Sequence, residues 1–498
     1  MRSRHATREG KGLGRGVILL AVAVWLYNAP LWAAKNVILM IADGSGFGSW
    51  QATSMYEGKW DAVKRQSTQV YDGPGWVRYA CTTYPLTLSK RPTGKTAQDA
   101  ALVYQPSKAW DAQSAWGLTG RTFAGYKFLT GGATDSAAAA TALAAGVKTY
   151  NNAINWSATN QPLAGKTIAE IAKRRGRAVG AITTVPWSHA TPAALGGAHN
   201  VERDNYEEIA NEMLAAPYLD VIMGTGNPDF DDEGRPAKKR PRYVGGAATW
   251  EQLKQGKHSS GWRLIQTKAE FESLAAAPPK DNKKILGVPQ VYATLQQARG
   301  KYQKTDTPFS QPLNSNVPSL ATMTKAAINV LAREPNGFYL VIEGGAVDWA
   351  NHANQPARMI EEQIDFLQAL RAVVDWVEAH GGWSQTLVIC TADHETGLLW
   401  GTHSDAVPFD QILDRGKGKV PDLRYNSLSH TNSLVPLVAR GAGCERFAER
   451  VRGVDAAAGE HWSFSGQYVD NTDVFQVMDA ALTAEASPAR ASAAGAAR

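Results

Sequence analysis

A carboxylate and a serine stand at the mouth of an alanine-rich run, Thr134-Asp135-Ser136-Ala137, which continues unbroken to Ala145 and stops at Gly146. Alanine has the highest helix propensity, so 137–145 is predicted to be helical almost whatever surrounds it. The free N–H groups and positive dipole end of that helix then point at Ser136, which favours an oxyanion there. The same residues also describe a Thr or Ser cap on a buried helix, so the rest of the chain must decide. Asp348 and His352 are four apart, and on a helix they share a face and can grip one cation, although such a pair also makes surface ion pairs and caps. Asp393-His394 is a second ligand pair. Neighbours in a strand point to opposite sides, so a turn must begin there for both to bind; a buried, satisfied histidine is the alternative. His430, in Ser429-His430-Thr431-Asn432, could complete the first site from another loop. Asp43-Gly44-Ser45-Gly46-Phe47-Gly48 looks like a dinucleotide fingerprint but lacks the third glycine at the required spacing, and no helix of that kind is expected after it. An acid among glycines can instead approach two cations closely.

These residues need elements to carry them. Apolar, β-branched runs at 37–42, 179–183, 221–223, 338–342, 387–391 and 434–439 read as buried parallel strands. Helical patterns lie between many of them, at 168–175, 206–214, 320–331 and 358–379. The alternation predicts an α/β fold, a doubly wound, mostly parallel sheet flanked by helices. From about 228 to 316 the texture turns polar, Lys- and Gly-rich, and is read as an inserted small subdomain. Metal-type residues recur just beyond the strand ends: Asp43, His189 and Thr191, Glu343, and Asp393-His394. Sites in open α/β sheets form in the crevice outside those ends, so separate loops are predicted to converge there.

The remaining signals bound the class. The chain has 498 residues, 44% hydrophobic and 20% charged, an ordinary globular balance. Arg2, Arg4, Arg8, Lys11 and Arg15 precede an apolar run at 17–26 and small residues at Ala33 and Ala34. That order is a secretory signal peptide over 1–34, too short for a membrane span, and implies a secreted or periplasmic protein. Leu31 or Trp32 stands where a small residue is preferred at the cleavage region, and an uncleaved anchor is the alternative. Removing the leader lowers the formal charge from +6 to about +2, so the basic pI says little. No basic stripe with interleaved aromatics argues for nucleic-acid binding, and Lys238-Lys239-Arg240-Pro241-Arg242 reads as a solvated loop. Cys81, Cys390 and Cys444 allow at most one disulfide and match no zinc motif. The expected layout is leader 1–34, catalytic domain 35–482 with 228–316 inserted, and a frayed tail 483–498.

Six motifs in order carry a resemblance: Asn36 to Gly44, Thr134-Asp135-Ser136-Ala137, His189-Ala190-Thr191-Pro192, Glu343 to His352, Thr391 to Gly397, and Ser429-His430-Thr431. Together they resemble the alkaline phosphatase family from about Lys35 to Leu482. The resemblance implies that Asp348, His352 and His430 hold one zinc and that Asp43, Asp393 and His394 hold a second. It implies that Asp43 bridges to a magnesium held with Thr191 and Glu343, that Ser136 is the nucleophile, and that Arg203 clamps phosphate. The chemistry is consistent with these roles. Serine becomes a useful nucleophile when coordination lowers its pKa. Two cations about 4 Å apart stabilise both oxygens of an in-line displacement. A guanidinium holds two phosphate oxygens at once. The implied activity is hydrolysis of small-molecule phosphomonoesters through a phosphoserine, with no membrane span after leader cleavage and a homodimer suggested by the family. His189 and Trp349 stand where some bacterial members carry Asp and Lys, which bears on metal preference and pH profile.

Other functions explain less. A phosphodiesterase or phosphonate hydrolase of the wider superfamily would use two zincs and leave Thr191 and Glu343 without a role. A metal- or phosphate-binding protein has no need of a helix-capped nucleophile, and a lectin-like surface protein leaves the convergent ligands unexplained.

Overall fold

The computed structural model describes residues 34–117, 120–281 and 283–483. Apart from Ala34, the leader lies outside the described residues, as does the tail from 484. The main sheet has eleven strands. In chain order they are β1 Asn36–Ala42, β2 Val77–Thr82, β3 Ala178–Pro186, β4 Val221–Thr225, β5 Arg263–Ile265 and β6 Ile285–Gly287, then β7 Phe338–Gly344, β8 Thr386–Thr391, β9 Val435–Gly441, β10 Gly453–Val454 and β11 Gln467–Asp470. Their spatial order is β10-β11-β2-β9-β8-β1-β7-β3-β4-β6-β5, mostly parallel.

Each central strand feeds two cores. Val37, Leu39 and Ile41 join Val179, Ala181 and Val341 on one face of the sheet. Ile38, Met40 and Ala42 join Ile182, Leu340 and Ile342 on the other. Burial on both faces is why these strands read as continuous apolar runs. One face is covered by helices that include α1 Ser136–Ala145, α2 Ile168–Arg174, α3 Ala190–Leu195 and α4 Tyr206–Ala215. The other is covered chiefly by α5 Leu320–Leu331 and α7 Pro356–Ala379, with the short α6 Ala346–His352 between them in sequence.

Register sets the site. Ile41 of β1 lies opposite Glu343 of β7 and Thr391 of β8, and Glu343 lies opposite Thr183 of β3. The residues that leave these strand ends, Asp43 and Asp393 among them, therefore emerge at one level.

Two expectations change. The run at 434–439 is read as parallel, but β9 is antiparallel to both β8 and β2. Apolar alternation is the same in either direction; the connection 392–434 stays at the ligand-bearing end, so the chain must enter β9 from there. A helix does follow the Asp43 glycine loop, Phe47–Glu57, and Gly48 to Met55 are all buried. A helix buried all round has no amphipathic stripe to betray it. Within 228–316, β5 and β6 pair in parallel at the edge of the main sheet. Cys81, Cys390 and Cys444 are free thiols, the first two buried. No described helix is long and apolar enough to cross a membrane.

Candidate active site

Helix α1 begins where the alanine run predicts, with Asp135 rather than a hydroxyl residue as its N-cap. Asp135 Oδ1 accepts from the Ala138 N–H at 3.0 Å, while Oδ2 accepts from Arg203 Nη1 at 2.9 Å. One carboxylate thus fixes the helix start and aims a guanidinium beside it. Ser136, the first helical residue, is buried, and its Oγ lies 3.2 Å from His394 Nε2. Helix α1 can sit this close because its small side chains pack against α3 and the helix Asn471–Thr483.

Two clusters of ligand-type atoms meet at this serine. Asp348, His394 and His430 form one, and Asp43, Asp393 and His394 form the other. His352 joins the first: its Nε2 is 3.4 Å from Asp348 Oδ2 and 3.0 Å from His430 Nε2. The hydrogen bonds fix where the protons are. His352 Nδ1 faces the Leu428 carbonyl at 2.7 Å and His430 Nδ1 faces the Thr134 carbonyl at 2.9 Å, so both Nδ1 atoms must donate. In the neutral rings both Nε2 lone pairs then point at each other and at Asp348. Thr396 Oγ1 donates to Asp348 Oδ1 at 2.6 Å, which makes it the acceptor for His394 Nδ1 at 3.2 Å. His394 Nε2 is thereby left free, 3.2 Å from Asp393 Oδ2 and 3.5 Å from Asp43 Oδ1. Ligand-type atoms therefore converge in both clusters.

The neighbouring acids tell the same story. Burial, then the facing carboxylates of Asp393, Asp348 and Glu343, push Asp43 well above the ordinary carboxyl range. Burial also pushes Asp393 and Glu343 up to about 7. His394 is held well below the usual imidazole value by burial, then by His430 and His352. Asp43 Oδ1, Asp393 Oδ2 and Thr191 Oγ1 are buried without hydrogen-bond partners, whereas Glu343 is bonded by Thr183 Oγ1. Asp43 and Thr191 both face the Glu343 carboxyl. Buried acids and unpartnered oxygens are costly unless positive charge offsets them. The donor set fits divalent cations: mixed imidazole and carboxylate at the two clusters, oxygen alone around Asp43, Thr191 and Glu343.

An open cleft over this centre is lined by Ser136, Arg203, Asp348, Trp349, His352 and His430. Arg203, placed from a loosely spaced segment of sequence, therefore faces the serine. His189 stacks on Tyr206 at 5.1 Å and lies 5.5 Å from Trp349. Burial, then Arg203 and Arg242, push its imidazole down to about 3. The sequence reading missed two residues. Thr396 ties a ligand of one cluster to a ligand of the other; its signal was its place two beyond His394, where strand periodicity returns a side chain to the same side. Asn351 Nδ2 donates to the Gly44 carbonyl at 3.0 Å and to Ser49 Oγ at 3.3 Å, tying α6 to the glycine loop.

Comparison with known proteins gives a consistent picture. The family model described as alkaline phosphatase matches residues 122–433. Alkaline phosphatase 4 of Bacillus subtilis is 32% identical over 331 residues, 65% of this chain and 63% of that protein. The chain thus spans just under two thirds of that relative's length. Streptomycin-6-phosphate phosphatase of Streptomyces griseus is 30% identical over 95% of this chain and 97% of its own. Among solved structures, Thermus thermophilus alkaline phosphatase superposes with a TM-score of 0.59 at 21% identity, covering 95% of this chain and 96% of that one.

Proposed function

Because the chain belongs to the alkaline phosphatase family, we propose that it hydrolyses phosphomonoesters to inorganic phosphate through a phosphoserine at Ser136. The observation that carries this reading is the approach of Ser136 Oγ to Nε2 of His394, the residue shared by both ligand clusters. Asp348, His352 and His430 would hold one zinc, Asp43, Asp393 and His394 a second, and Asp43, Thr191 and Glu343 a magnesium. When bound, these cations supply charge that lowers the serine pKa and stabilises the oxygens around phosphorus.

The chain's own residues do the rest. Arg203, anchored by Asp135 on one side, offers its remaining N–H donors to two phosphate oxygens and turns phosphorus toward Ser136. The α1 N-terminus favours negative charge on Ser136 Oγ as it attacks. Ser136 gives up its hydroxyl proton to solvent, the Oγ–P bond forms as the ester P–O bond breaks on the opposite side, and the leaving oxygen takes up a proton from solvent to depart as the alcohol. Water then attacks the phosphoserine, returning Ser136 to its hydroxyl and releasing phosphate. The catalytic unit is 35–482 with 228–316 inserted, carried outside the cytoplasm by a cleaved leader and acting as a homodimer.

The test is phosphate release from an aryl phosphate by wild type and Ser136→Ala, each with zinc and magnesium and then after chelation. Activity that needs both Ser136 and metal is expected. A near wild-type rate in Ser136→Ala would mean that water attacks the ester directly. A diester preferred by more than about a hundredfold, some 2.7 kcal/mol of discrimination, would refute the monoesterase.

A further inference from the structure

The basic run Lys238-Lys239-Arg240-Pro241-Arg242 does not behave as an isolated solvated loop. Its four cations are exposed, and most acids close by have partners of their own, although Asp204 accepts from the Tyr206 hydroxyl and Asp232 acts on Tyr292. Asp229 pairs with Lys254, Asp231 accepts from the Glu233 and Arg235 N–H groups, and Asp232 accepts from the Ala293 N–H. The run is also held on aromatic faces. The Arg242 guanidinium lies 5.1 Å from the Tyr206 ring centre and 4.5 Å from that of Tyr243, and it donates to the Tyr243 hydroxyl. Lys239 Nζ sits 5.6 Å from the Tyr292 ring centre, and Tyr292 packs on Tyr243 at 5.4 Å. A stacked guanidinium is oriented in advance and keeps most of its donors free, so an incoming anion meets little ordering cost.

This shelf runs into the catalytic cleft. Tyr206 and Tyr243 both pack on His189, at 5.1 and 5.4 Å, and His189 packs on Trp349, which lines the cleft with Ser136 and Arg203. Tyr206 is three residues beyond Arg203 in sequence. The Arg203 guanidinium is anchored by Asp135 at the serine; that of Arg242 is exposed on the Tyr206 and Tyr243 rings.

We propose that residues 238–242, on their bed of Tyr206, Tyr243 and Tyr292, form a second anion subsite contiguous with the phosphate site. Preferred substrates are then phosphomonoesters whose leaving group carries a further phosphate or carboxylate. This rests on the phosphatase reading above and narrows its substrate class. It also sets an opposite expectation for cationic leaving groups, which the strip repels.

The experiment compares adenosine 3′,5′-bisphosphate, adenosine 5′-monophosphate and phosphocholine as substrates of the zinc- and magnesium-loaded enzyme. Wild type should prefer the bisphosphate over the monophosphate by about tenfold in kcat/KM, carried by KM, with phosphocholine the poorest. The exposed triple variant Lys238→Gln/Lys239→Gln/Arg240→Gln should erode that preference and leave monophosphate turnover unchanged, and Arg242→Gln should erode it as well. High salt should erode it in wild type. Equal kcat/KM for the two nucleotides, a preference that survives both variants, or a preference for phosphocholine would overturn the subsite. No phosphate release from any of the three would instead overturn the phosphatase reading on which it stands.

Discussion

Replacing Thr396 by valine should weaken zinc binding at both ligand clusters at once. The side chain is fully buried, and valine matches its shape while removing Oγ1. Two bonds go with that atom: the 2.6 Å donation to Asp348 Oδ1 and the 3.2 Å acceptance from His394 Nδ1. The first is a hydrogen bond to a charged group, worth about 1.5–3 kcal/mol, and losing the second strands a buried N–H at about 1–3 kcal/mol. Groups that orient a metal ligand from behind typically change affinity by about 10–100-fold when lost. Asp348 belongs to one cluster and His394 to both, so neither site should escape. The assay is competition with a chromophoric chelator for two equivalents of zinc on metal-stripped protein, with urea unfolding run in parallel. Thr396→Ser keeps the hydroxyl and should bind within about threefold of wild type, some 0.6 kcal/mol. Wild-type affinity at both sites in Thr396→Val would refute the reasoning, as would equal damage in serine and valine variants, which would assign the effect to packing.

Glu362→Gln should flatten the fall of stability with rising pH. Burial, then Asp365 and Glu361, push the Glu362 carboxyl up to about 8, and its Oε1 has no hydrogen-bond partner. Between the ordinary carboxyl value and about 8 the unfolded chain has released a proton that the native state keeps, so stability falls by up to ~1.4 kcal/mol per pH unit and levels off above. Urea midpoints of wild type and variant at pH 5 and pH 9 check this; parallel pH dependence would rule it out. Gly44→Ala should cost about 2–5 kcal/mol and impair zinc binding at Asp348. Gly44 has φ +67°, and an added Cβ would stand 2.6 Å from Asp348 Oδ1 and 2.8 Å from its Cα. Left-handed strain contributes about 1–2 kcal/mol and overpacking about 1–3 kcal/mol. An unchanged unfolding midpoint would show that the loop relaxes freely.

What the sequence made legible follows from what each signal encodes. Strands 36–42, 178–186 and 338–344 were readable because a strand covered on both faces must be apolar throughout. Strand 77–82 was not, since Arg78 and Thr82 break the run, and the edge strand 263–265 and its neighbour 285–287 are too short to show a period. The direction of 435–441 was illegible for a different reason: hydrophobic pattern carries no sense of chain direction, which only the connection supplies. The proposed ligand residues stood out because carboxylates and histidines at strand ends are chemically unusual there.

Thr396 escaped because nothing in its composition is unusual, and the 238–242 strip stood out only as a solvated loop; each draws its meaning from a partner distant in sequence. Thr396 lies 48 residues beyond Asp348, and what it does depends on an α6 side chain meeting a turn after β8. Arg242 gains its setting from Tyr206, on a helix across the site entrance. A ligand must present a particular atom to an ion, so its type is constrained and its spacing becomes a motif. A residue that orients a ligand need only place one donor or acceptor, which many side chains can do. The centre of this site is therefore written in residue identity, while its tuning is written in the fold, in which β1, β7 and β8 end level and bring their loops together.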